Sequence, residues 1–64
     1  MKNNFIELTN SDNQKVLVNI LNISWIIPDK NTTIIFMNFV GRNNFALPIV
    51  VKEEYSLIKQ LIGL

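Results

Sequence analysis

Along "FIELTN" (residues 5–10) apolar and polar positions alternate, Ile6 and Leu8 against Glu7 and Thr9, which is the period of a half-buried strand. "SDNQ" (11–14) reads as a turn, because Ser, Asp and Asn side chains bond their own backbone, and "KVLVN" (15–19) returns as a second strand. "NILN" (19–22) fits either a helical turn or a loop, with Ile20 and Leu21 tucked inward. "ISWIIP" (23–28) predicts a third strand that stops at Pro28, since proline cannot donate to a ladder. After the turn "DKNT" (29–32), "TIIFMNFV" (33–40) is a fourth strand. "GRNN" (41–44) supplies Gly and Asn for a tight connection, and "FALPIVV" (45–51) is a fifth strand, Pro48 pointing to a sheet edge or a bulge. At "KEEYSLIKQLIGL" (52–64) the period changes to 3.6: Leu57, Ile58, Leu61 and Ile62 form one helical stripe flanked by Tyr55. Glu53 and Glu54 suit the positive end of that helix, Lys59 its last turns and Gly63 its end, though no good N-cap residue precedes it. The pattern predicts one small α+β domain over residues 1–64. It is a five-stranded antiparallel meander, flat or curled toward a barrel, with one C-terminal helix.

Strict alternation then assigns the faces. Ile6, Leu8, Val16, Val18, Ile23, Trp25, Ile27, Ile35, Met37, Phe39, Phe45, Leu47, Ile49 and Val51 turn inward, where the helix lies across them. The other side carries Glu7, Thr9, Lys15, Ser24 and Asn38, but also Phe5, Leu17, Ile26, Ile34, Phe36, Val40 and Val50. "IIFMNFV" (34–40) is thus apolar on both sides. A helix of about ten residues spans about 15 Å, so it cannot cover both. Either the sheet curls up and hides the second side, or another chain covers it. The sequence favours a partner, most simply a second copy of this chain forming a homodimer, with those seven apolar residues as the candidate interface.

Composition sharpens this. A chain of 64 residues, 48% hydrophobic, is near the lower limit at which one core holds a domain together. Cysteine and histidine are both absent, so there is no thiolate metal site, no disulfide staple and no imidazole base; packing or oligomerisation must supply the stability. The acids Glu7, Asp12, Asp29, Glu53 and Glu54 read as turn formers and helix-end charges rather than a catalytic pair. Ser11, Ser24 and Ser56 have no histidine to activate them, and Gly41 and Gly63 make no phosphate loop. No enzyme, cofactor or metal is expected. Nucleic acid stands second as a partner. Lys15, Lys30, Arg42, Lys52 and Lys59 are scattered at a net charge of +1, although Trp25, Phe36 and Phe39 lie on strands where bases could stack. No stretch has the roughly 20 apolar residues of a membrane span and "MKNNFIELTN" has no leader-like apolar run, so a cytoplasmic protein is expected.

"FIELTN", "VLVNILNISWI" with the following "TII", and "VVKEEYSLIKQLI" together resemble the small flagellar FlbD-like proteins. The likeness covers almost the whole chain and rests on apolar spacing plus Leu8-Thr9, Val18-Asn19 and Lys52-Glu53. It implies a non-catalytic accessory protein, associated in that family with flagellar motility, with no cofactor and no catalytic residues. The chain departs from the family at "FMNFVGRNNFALP", where such proteins carry a short polar turn; a relative with another partner, from a phage or mobile element, fits that departure. "NISWIIPDKNTTIIF" with "VKEEYSLIKQLI" also resembles the first half of LytTR-type DNA-binding domains, which implies a small transcription-regulatory protein as the second reading.

Overall fold

The computed structural model describes residues 3–38 and 47–64. In chain order it holds β1 (Phe5–Thr9), β2 (Lys15–Asn19), a 3₁₀ turn (Ile20–Asn22), β3 (Ile23–Asp29), β4 (Thr32–Met37), β5 (Leu47–Val51) and α1 (Tyr55–Ile62). The class is α+β, with five antiparallel strands and a helix near the C-terminus. The strands do not form one meander, however. β1 pairs with β2, β3–β4–β5 form a separate sheet, and the structure does not close into a barrel.

The break falls at the 3₁₀ turn. Asn19 Oδ1 accepts the Leu21 N–H at 3.0 Å, which bends the chain out of β2 before β3 begins. Ile20 packs on the core, but Leu21, expected inward, is exposed, because one tight turn points successive side chains to different sides. The β1–β2 turn is built as its composition requires. Asn10 Oδ1 accepts the N–H groups of Asp12 at 2.9 Å and Gln14 at 3.0 Å, and Asn13 takes the left-handed conformation at φ 64°.

The two sheets are tied where β1 meets the end of β5. Asn10 bridges to Val51, and the Lys52 N–H donates to the Thr9 carbonyl at 2.8 Å. The Glu53 carboxylate then accepts the Thr9 N–H at 2.8 Å and the Thr9 hydroxyl at 2.9 Å. The Glu53 carbonyl accepts the Thr33 hydroxyl at 2.8 Å, which lets Thr33 be fully buried. Glu53 is therefore a clasp between strands and not a first-turn helix residue. α1 starts at Tyr55, with Glu54 at an N-cap position that makes no side-chain cap bond, and ends at Gly63 with φ 97°.

Ile6, Leu8, Val18, Ile35, Val51 and Ile58 form the buried core, with Val16, Ile20, Ile23, Ile26, Met37, Ile49 and Ile62 packed around it. Two expectations about it need correction. On α1, Ile58 is buried and Ile62 packs beside it, whereas Leu57 and Leu61 are exposed. A short helix lays one ridge on a sheet, and residues 57 and 61 sit about 100° round the axis from 58 and 62. On β3, Ile23 pairs with Met37 and Trp25 with Phe36, so Ser24 is an extra, bulged residue. Beyond it the alternation reverses. Ile26, expected on the second face, packs on the core opposite Ile35, while Trp25 and Ile27, expected inside, turn outward. β3 also runs through Pro28 to Asp29 instead of stopping at the proline. Phe39, Val40, Phe45 and the 41–44 connection lie outside the described residues.

Candidate functional site

The reversal at Ser24 completes a face of which strand alternation singles out only Ile34, Phe36 and Val50. Outward from the three-stranded sheet point Trp25 and Ile27 of β3, Ile34 and Phe36 of β4, and Pro48 and Val50 of β5. The register sets them in two cross-strand rows: Trp25–Phe36–Pro48 and Ile27–Ile34–Val50. Trp25 is 53% exposed, Ile27 41% and Val50 42%. The Trp25 and Phe36 rings stack with centroids 4.7 Å apart and planes 20° from parallel, a rigid aromatic plate at one end of the face. Both ends are polar. Beyond the aromatic row the Ser24 hydroxyl bonds Asn38 Oδ1. Beyond the aliphatic row come Asp29 and Thr32, paired across β3 and β4, and Lys52, which follows β5.

Of the residues predicted for an interface, Ile34, Phe36 and Val50 lie on this face. Ile26 does not, and Phe5 and Leu17 lie on the outer side of β1–β2, interleaved with Glu7 and Lys15. Val40 is outside the described residues. Trp25, Ile27 and Pro48 join the face unannounced. The signal that could have found two of them is Ser24, a small polar residue inside "ISWII", where a bulge costs least.

The other polar chemistry is structural. Partial burial works to raise the Glu53 carboxyl, but the Thr9 backbone and hydroxyl bonds and the nearby Lys15 charge prevail and hold it below its ordinary value. Lys15 Nζ also donates to the same Thr9 hydroxyl at 2.9 Å, so acid, hydroxyl and ammonium form one chain of bonds. Among the described residues there is no pocket, no group of three potential metal ligands, and no helix long and apolar enough to cross a membrane.

Among the described residues, the fold and the face define a small α+β domain with an exposed apolar surface on its three-stranded sheet. Comparison with protein-family models, with curated proteins and with solved structures gives no match.

Proposed function

We propose that this chain is a non-enzymatic, cytoplasmic interaction module that associates with a second copy of itself through the outer face of its three-stranded sheet. The observation that supports the reading is Trp25: a tryptophan more than half exposed, held flat by Phe36, at the head of six contiguous apolar side chains. Burying one large apolar side chain contributes about 1.5–3 kcal/mol, so leaving this face wet forgoes stabilisation that so small a domain needs. An accessory role of the FlbD-like kind would work through such a face.

Light scattering at micromolar to submillimolar concentration tests it. The parent should be a dimer, and Phe36→Lys, whose side chain points away from the core, should be a monomer with an unchanged far-UV spectrum. A parent that stays monomeric throughout that range refutes self-association. The exposed Trp25–Phe36 stack also supports a second reading, a platform on which nucleic-acid bases stack. Binding to single-stranded DNA or RNA that weakens steeply with salt would favour it over a protein partner.

A further inference from the structure

Charge breaks the symmetry of the outer face. Its polar border at the β3–β4 hairpin carries an acid, Asp29, on one outer strand and a base, Lys52, past the end of the other. β4 lies between them, so they are separated by about two strand spacings, roughly 10 Å, too far to pair within one chain. Asp29 pairs with Thr32 through its backbone and its carbonyl accepts the Thr32 hydroxyl at 2.8 Å, while the Lys52 ammonium rests on Asn13 Oδ1 at the surface. Both charges are exposed.

We propose that two copies pack face to face about a two-fold axis running along β4, so that Asp29 of each chain meets Lys52 of the other. An axis in that direction keeps position along the strands and exchanges the outer strands, laying β3 of one copy over β5 of the second. Acid then falls on base at both corners, Trp25 falls on Pro48, and Phe36 meets its own equivalent. The alternatives are worse. An axis across the strands lays the Asp29–Thr32–Lys52 border on the aromatic row and buries Asp29 against Trp25 and Lys52 against Pro48, each charge without a partner. Edge-to-edge pairing meets Pro28 on β3 and Pro48 on β5, each of which removes a backbone donor from an outer strand. Aligned sheets pack about 10 Å apart with their strands within about 30°, a gap that a lysine and an aspartate can close.

The arrangement rests on the self-association proposed above, and charge exchange separates the two. Asp29→Lys and Lys52→Glu are made singly and together, and dimerisation is measured by sedimentation equilibrium at low ionic strength, with circular dichroism to verify folding. Each single exchange places like charges together at both corners and should weaken the dimer by roughly tenfold or more, while the double exchange should restore it. Mixing the two single variants should be the sharpest measurement, because a heterodimer has opposite charges at both corners and should form in preference to either homodimer. A dimer abolished by Phe36→Lys but indifferent to the charge exchanges, or a mixture with no heterodimer preference, overturns this arrangement and leaves self-association standing. A parent monomeric at submillimolar concentration overturns both.

Discussion

Ile58 is the single helix side chain that the sheets enclose completely, at 0% exposure, while Leu61, one turn along the same helix, is 46% exposed. Ile58→Ala and Leu61→Ala therefore form a matched pair: each deletes three carbons and swaps in a residue of higher helix propensity, so only the surroundings differ. At Ile58 the deleted methyl and methylene groups amount to about 2.4 kcal/mol of lost transfer free energy. The hole left in the buried cluster that Ile58 shares with Leu8, Ile35 and Val51 adds to this, within the range of about 2–5 kcal/mol usual for such truncations. A domain of 64 residues is worth only about 3–10 kcal/mol in all, so Ile58→Ala should lose about a quarter or more of its stability. Leu61→Ala should cost under about 1 kcal/mol. Urea unfolding followed by far-UV circular dichroism measures both, at a concentration low enough to keep the protein monomeric, with equal m-values required for the comparison. Equal losses from the two substitutions, or the larger loss at Leu61, would mean that α1 is rotated from the position described.

Two further tests concern the polar framework. Because the Glu53 carboxyl is held below its ordinary value of 4.5 in the folded chain, its bonds to Thr9 contribute stability above the unfolded pKa and lose it as pH falls through the lowered folded value. The urea midpoint of the parent should therefore drop as pH falls below about 4.5, and Glu53→Gln should start lower at pH 7 and vary less across that window. Lys30, at φ 55° in the β3–β4 turn, holds a left-handed conformation that costs a side-chain-bearing residue about 1 kcal/mol. Lys30→Gly should raise stability by a few tenths to 1 kcal/mol in the same assay, and a loss would show that the lysine side chain contributes more than its backbone costs.

The sequence makes the order of elements legible because each has a local cause. The β1–β2 turn follows from Asn10 and Asn13 and the end of α1 from Gly63. The strand cores follow from period two at Ile6–Leu8 and Val16–Val18. What stays hidden depends on contacts between distant residues. Glu53 resembles a helix-dipole residue until Thr9, 44 positions earlier, is brought to its carboxylate. Leu57, Ile58, Leu61 and Ile62 are equivalent in any helical projection, and only the sheets beneath decide which pair is enclosed. The face of Trp25 is the costliest error, because one extra residue reverses every side chain after it and exchanges Trp25 and Ile27 with Ile26.

That exchange has a packing logic that also bears on the outer face. Ile23 and Ile26 both pack on the core although they are three residues apart, which a regular strand forbids and a bulge at Ser24 permits. Without the bulge, a strand that kept Ile23 inside would drive the indole of Trp25 into the interior, close to Ile35 and Met37. The interior there is filled by Leu8, Val51 and Ile58, all at 0% exposure, and an added indole would overpack it. With the bulge, the smaller Ile26 enters instead and the indole lies flat on Phe36 outside, where it keeps an aromatic contact but gives up much of its burial. The same local irregularity that fits the core of this small chain thereby places its largest apolar side chain beside the aliphatic row Ile27–Ile34–Val50, on the side of the sheet away from the helix. In the proposed two-fold dimer a second copy of the face would restore the burial that Trp25 gives up, by setting it on Pro48 across the axis.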